Sequence, residues 1–289
     1  MLSSSDLTEK IVEKAKFFGA SIAGVASVES LKNSPSHKIY PKIGMSLNEN
    51  FADTKDGANI IDVSWPSDAV SAVVIGVAHN ADEPELDWWD GKGTPGNRIL
   101  IKINNKLSTW IENTFHVKTY NLPYAVEQGG IFLKDAAVNA GLGCIGKNNL
   151  VITPEYGPRI RFRALLLNKE AKSTNSPEFN PCENCGQPCR KACPVKAFQK
   201  TVYSAEALGQ SILPGINGTY DRVSCNIRME ENIDEAAKVI SAHDKNQQEI
   251  RELINEFEKS HIKAPTGDQP FNYCVMYCRK CELSCPVGV

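Results

Sequence analysis

No apolar stretch among the 289 residues approaches the roughly 20 that a membrane helix needs, which excludes a helical span on sequence grounds. The chain opens with neither an apolar signal segment nor a twin-arginine leader before Leu7, so a cytoplasmic location, where thiols stay reduced, is the expectation. No long basic run occurs, and a formal net charge of −2 spreads no general positive field, so nucleic-acid binding would need a local patch. No solenoid repeat is visible either. With 42% apolar and 23% charged residues the composition is that of a soluble globular protein, and its length suggests about two domains.

What the chain does have is cysteine, ten in all, and eight of them form a pattern. The first run reads Cys182-Glu-Asn-Cys185-Gly-Gln-Pro-Cys189-Arg-Lys-Ala-Cys193-Pro194, and Cys278-Arg-Lys-Cys281-Glu-Leu-Ser-Cys285-Pro286 repeats its closing half. In bacterial ferredoxins the Cys before Pro ligates the other cluster, so two such runs interlock. Cys225 supplies the thiolate that the second run lacks. The expected sets are Cys182, Cys185, Cys189 and Cys285 for one 4Fe–4S cluster, and Cys193, Cys225, Cys278 and Cys281 for another. Structural zinc is the main alternative, since C-x2-C pairs also suit a tetrahedral ion, but zinc does not need two Cys-Pro endings. A disulfide framework fits a reducing compartment less well. Three residues separate Cys185 from Cys189 where the ferredoxin run has two, and Cys144 and Cys274 are left over.

Helical spacing of Leu7, Ile11, Ala15 and Phe18 predicts an opening helix, followed by a strand over Ile22 to Ala26. Ala69 to Val77 reads as a buried central strand, Ile99 to Phe115 as a helix, and Leu133, Ala136, Ala137 and Ala140 as the small-residue face of another. Leu150 to Thr153 and Ile160 to Leu167 read as strands. The alternation predicts an α/β (α+β) fold with a mixed sheet. The polar stretch Ala171 to Pro181 marks a boundary between domains 1–170 and 171–289, the second carrying inserted helices near 230–262. Ile250, Leu253, Ile254 and Phe257 form the apolar stripe of a helix packed on that second domain.

The segment Leu133-Lys-Asp135-Ala-Ala-Val-Asn-Ala-Gly141-Leu-Gly143-Cys144-Ile-Gly146-Lys147-Asn148, continuing through Ile152-Thr-Pro-Glu-Tyr-Gly-Pro-Arg159, resembles the corrinoid-dependent iron–sulfur reductases. That group holds the epoxyqueuosine reductases and the reductive dehalogenases. The resemblance extends to Ile22–Ala26, Ser71–Gly76 and all eight cluster cysteines. It implies a nitroreductase-like N-terminal domain carrying base-off cobalamin, and a ferredoxin-like C-terminal domain that feeds it electrons. It also places Asp135 at the proton donor of epoxyqueuosine reductases, a role that suits a carboxyl whose pKa burial has raised.

Gly141, Gly143 and Gly146 let the backbone approach a bulky ligand or form a tight turn, and Lys147 can pair with an anionic group. These four are the expected cobalamin-binding residues. Tyr124 and Tyr156 are weaker candidates for a phenolic donor.

The chain departs from the family at three points. Cys144 stands where epoxyqueuosine reductases usually carry Trp. Asn97 to Lys106 lacks their Asp-Tyr-His stretch, and the sequence ends three residues after Pro286, where many continue into a helical-repeat domain that helps hold tRNA. A tRNA partner is therefore doubtful on sequence. The Asp-x-His-x-x-Gly pattern that supplies a lower His ligand to cobalamin is also absent.

The expected function is an iron–sulfur oxidoreductase that passes electrons from an external low-potential donor through two 4Fe–4S clusters to cobalamin. Its expected substrate is a small molecule, an organohalide or a modified nucleoside. The alternative is a non-catalytic electron carrier or activator for a separate corrinoid protein.

Overall fold

The computed structural model describes residues 2–39, 63, 65–80, 84–89, 93–124, 126, 128–175, 178–201, 204–208, 211, 213, 218–243, 262–263 and 274–288. Helix α1 (Ser4–Phe17) opens with a capping box: the Ser3 hydroxyl accepts the Asp6 N–H at 3.1 Å and the Asp6 carboxylate accepts the Ser3 N–H at 3.4 Å. Then come β1 (Ile22–Ser27), α2 (Val28–Lys32), β2 (Ser71–Ala78), α3 (Pro95–Phe115), β3 (Thr119–Asn121), α4 (Leu133–Asn139), β4 (Cys144–Ile145), β5 (Val151–Ile152) and β6 (Ile160–Leu167).

Four strands form one sheet in the order β1-β2-β6-β3. Every described pair in it is antiparallel, with Val25 opposite Val73, Val74 opposite Ala164 and Tyr120 opposite Leu166. The α/β class stands, but the described sheet is antiparallel where a mixed one was expected. Alternation of helix and strand shows that helices cover a sheet, whereas strand direction depends on the end to which each connection returns. The chain between β1 and β2 returns to the end it left.

Helices on both faces explain why β2 reads as one apolar run, since all eight of its residues are buried. Val73, Ile75 and Val77 face the core shared with Leu7 and Ile11 of α1 and with Leu100, Ile103, Leu107 and Ile111 of α3. Ala72 and Val74 face the opposite core, where Ala136, Ala137 and Ala140 bring α4 close to the sheet. A fully buried Leu or Ile at such positions contributes roughly 1.5–3 kcal/mol through burial.

The polar stretch after β6 is partly stitched to the N-terminal elements. Thr8 Oγ1 donates to the Lys172 carbonyl at 2.7 Å, the Lys172 N–H donates to Ser4 O at 3.1 Å, and Thr174 Oγ1 accepts the Val25 N–H at 3.1 Å. Beyond it lie α5 (Pro188–Lys191), α6 (Arg222–His243) and α7 (Lys280–Leu283), each beginning within a few residues of predicted cluster ligands. The predicted stripe at Ile250, Leu253, Ile254 and Phe257 lies outside the described residues. Among the described residues no helix is long and apolar enough to cross a membrane.

Candidate functional site

Cys285, Cys189, Cys281 and Cys225 each have other cysteines of the expected sets as electrostatic neighbours. Burial raises the Cys285 pKa, and Cys182 and Cys185 raise it further as like charges. Cys189 is raised in the same way by burial, with Cys285, Cys182 and Cys185 adding to it. In the second expected set burial pushes Cys281 up to about 12, reinforced by Cys225, Cys278, Cys193 and Cys189 in that order. Cys225 is raised by burial and then by Cys278 and Cys193, against a lowering hydrogen bond from Tyr220. Cys274 lies in a short strand, Cys274–Val275, and its side chain is outside the described residues.

Among the described residues no three cysteine sulfurs lie within 4.8 Å of one another. A tetrahedral zinc ion at 2.3 Å from each sulfur would hold its thiolates about 3.8 Å apart. A 4Fe–4S cube spaces them more widely, because each binds a different iron.

Arg190 donates to the Phe198 carbonyl at 2.6 Å and to Thr219 Oγ1 at 2.8 Å, and the Asp221 N–H donates to Ala197 O at 2.7 Å. Together these bonds tie the Cys189–Cys193 stretch to the start of α6. There Asp221 accepts the Ser224 N–H at 3.1 Å, and Cys225 sits in the first turn. Cys193 Sγ in turn accepts the Ala197 N–H at 3.3 Å.

The turn after α4 runs against both cysteine groups. The Lys147 N–H donates to Cys182 Sγ at 3.5 Å, and Asn148, 2% exposed, donates to the Cys281 carbonyl at 3.4 Å. Gly143 and Gly146 are already enclosed by their own chain: an added Cβ would lie 2.2 Å from Ile152 O and 2.5 Å from Ile152 Cγ1 respectively. Gly141 adopts φ 70°, where a side chain is strained. Close packing on β5 accounts for Gly143 and Gly146, and the left-handed φ for Gly141. Cys144 is half-buried, its thiol raised by burial and then by Cys182, which places it beside the first group.

Asp135 is buried in the first turn of α4. Its Oδ1 accepts the Ser36 hydroxyl at 2.7 Å and its Oδ2 the Ser36 N–H at 2.9 Å, so it caps the helical residues 35–39. Beside it His37 Nε2 accepts the Phe132 N–H at 3.2 Å, and His37 Nδ1 lies 2.8 Å from Ser34 Oγ. Lys134, on the same turn, donates to the Asn149 carbonyl at 2.6 Å, and its ammonium lies 5.7 Å from the Tyr220 ring centroid. Burial, then Arg222, pulls its pKa down to about 8.

Sequence reasoning missed a buried charged group at one end of the sheet. His79 follows β2, Asp87 ends a short 3-10 turn (Pro84–Asp87), Arg161 lies on β6, and Arg279 and Glu282 flank Cys281. His79 lies 3.8 Å from Asp87 and 3.5 Å from Glu282, while Asp87 pairs with both Arg161 and Arg279, and Arg279 also pairs with Glu282. The one clue was the pair Arg161 and Arg163 inside an otherwise apolar strand. Tyr124 and Tyr277 both accept from Arg161.

The fold is that of an α/β protein with an antiparallel sheet, and its described cysteines are free thiols. No family model matches the chain. In sequence it is similar to the epoxyqueuosine reductase of Synechocystis sp., 31% identical over 106 residues that make up 37% of this chain and 35% of that protein. Its fold is similar to that of epoxyqueuosine reductase from Streptococcus thermophilus, with TM-score 0.59 and 21% identity, covering 98% of this chain and 66% of that one. An epoxyqueuosine reductase solved with an epoxyqueuosine-modified tRNA stem loop gives TM-score 0.52 and 19% identity over 68% of this chain and 53% of that one. A catabolic reductive dehalogenase in complex with 3-bromo-4-hydroxybenzoic acid gives 0.54 and 14% over 78% and 30%. The chain thus resembles the epoxyqueuosine reductase and reductive dehalogenase group, and its match spans about a third of the curated relative's length.

Proposed function

We propose that this protein is a reductase of the epoxyqueuosine reductase type, with residues 1–170 forming the substrate domain and 171–289 a ferredoxin-like domain that binds two clusters. One observation carries the proposal: the turn leaving α4, the helix of Asp135, touches both cysteine groups, through Lys147 on Cys182 and Asn148 on Cys281. Electrons held at the cysteines are thereby a short distance from a buried acid.

Cys182, Cys185, Cys189 and Cys285 would hold one 4Fe–4S cluster, and Cys193, Cys225, Cys278 and Cys281 the other. When bound, the clusters supply one-electron relay chemistry at low potential, drawing on an external donor. The Lys147 and Ala197 N–H groups donate to Cys182 Sγ and Cys193 Sγ, and with clusters bound these bonds would favour the reduced, more negative state. Asp135 supplies one of the two protons that two-electron reduction of an epoxide requires, the other coming from solvent. Ser36 holds both carboxylate oxygens in place and leaves each a further lone pair for a proton or substrate. Cobalamin enters through the family resemblance alone, and no step is assigned to it.

The tRNA stem loop bound by a relative of similar fold makes modified tRNA the first substrate to test, partly against the doubt raised from sequence. The test uses anaerobically reconstituted full chain. It should hold about eight irons, shift the corrin bands of added cobalamin, and reduce an epoxyqueuosine stem loop when a low-potential reductant is supplied. Asp135→Asn should keep its iron and lose turnover. Unshifted corrin bands remove cobalamin from the proposal, and iron-replete protein inert towards both stem loop and organohalides favours the electron-carrier alternative.

A further inference from the structure

The buried charges at the sheet end were assigned no role above. His79, Asp87 and Glu282 offer ligand atoms within 4.8 Å of one another, all three buried, which is the donor set of a divalent-metal site. A metal is nevertheless the poorer reading. Both carboxylates already pair with guanidinium groups, Asp87 with Arg161 and Arg279, and Glu282 with Arg279. The two carboxylates are balanced by Arg161 and Arg279, and buried Arg159 adds a further positive charge near His79, so a cation finds no negative charge to neutralise; His79 sits between the carboxylates as a neutral ring.

Stability alone does not account for the group. Removing two carboxylates and two guanidiniums from water costs several kcal/mol per ion, and apolar residues of similar volume often do as well or better. Position is the more telling feature. Arg279 and Glu282 belong to the run Cys278–Cys285, and their partners Asp87, Arg161 and His79 belong to the sheet end. Tyr277, just before Cys278, accepts from both Arg161 and Arg279. Arg279 is matched at the sheet end by Asp87, while Glu282 pairs with Arg279 inside the run and lies beside His79, so the run is held in one place next to Cys278 and Cys281.

We propose that Asp87, Arg161, Arg279 and Glu282, closed by His79, form a charge-neutral clamp that positions the second ligand run and sets the reduction potential of the cluster held by Cys193, Cys225, Cys278 and Cys281. These are positioning residues: they act on the cluster through charge and placement, without ligating it. Net charge near a cluster and the orientation of its ligand loop are among the determinants of its potential. The inference rests on the proposed cluster ligation.

Potentiometric EPR titration of the reconstituted full chain tests it, with the second cluster identified as the one lost in Cys193→Ser. Asp87→Asn removes a negative charge and should raise the potential of that cluster while the other stays put. Arg161→Gln should lower it. The double variant Asp87→Asn/Arg161→Gln restores neutrality and should return the potential close to the wild-type value.

Unchanged potentials in both single variants overturn the inference, as does a double variant that fails to return. If neither single variant accumulates, the neutral double variant must still fold and load iron, and its failure also overturns the clamp. Wild-type protein without cluster EPR signals would instead overturn the ligation reading itself.

Discussion

At the scale of single residues, His79 shows how burial sets chemistry. Desolvation, then Arg161 and Arg159, lowers its pKa from 6.5 to about 3. The unfolded chain therefore takes up a proton near pH 6.5 that the folded chain refuses, so this residue's contribution to stability is complete above 6.5 and declines as pH falls towards 3. At pH 5.5 the loss is about 1.4 kcal/mol. His79→Gln should lack this component. Urea midpoints at pH 7.5 and 5.5 should therefore differ less in the variant than in the wild type, and equal differences would refute the assignment. His79 could not be picked out of the sequence, because its partners Asp87, Arg161 and Glu282 are scattered over some 200 positions and each reads as a surface charge. The cysteine pattern was legible for the opposite reason: the spacing that iron ligation would require is local and needs no knowledge of the fold.

At the scale of elements, the segment from β5 to β6 has a docking role that its sequence motif alone did not reveal. Arg159, 3% exposed, donates to the carbonyls of Cys285 and Val287 at 3.0 Å each. Gly157 and Gly288 meet nearly backbone to backbone: a Cβ on Gly157, at φ 55°, would lie 1.9 Å from Val287 O. Two glycines and one arginine thus seat the end of the Cys285 run on the hairpin at Thr153. Gly157→Ala combines a left-handed φ with a backbone clash that no rotamer relieves, so Cys285 should be pushed out of its group. Iron content should fall from about eight towards about four per chain, with the second cluster's EPR signal retained. A variant holding its full iron would show that Cys285 does not depend on this seat. Sequence periodicity found β2, β6, α1 and α3 within a few residues because each buries a regular face. It did not reveal the antiparallel pairing, which depends on where connections return and not on any local pattern.

At the scale of the whole molecule, the proposed ligand sets draw on three separated stretches, so cluster binding and the docking of the C-terminal run would depend on each other. In the proposed sets Cys189 and Cys193, four residues apart in one run, serve different clusters, and Cys285 crosses from the last run to the first. The interlock makes a specific prediction about partial loss. Cys193→Ser removes a ligand from the second set while leaving Cys182, Cys185, Cys189 and Cys285 complete. About half the iron should remain, and its signal should be that of the first cluster. Cys274→Ser touches neither set and should keep all the iron. If the two variants lost iron equally, Cys274 would have to replace one of the assigned ligands, and the second set would need redrawing. If Cys193→Ser lost everything, the two clusters would be one folding unit: the first set would then depend on the second to hold Cys285 in reach, through the same run that Arg159 and the charged clamp fasten to the sheet.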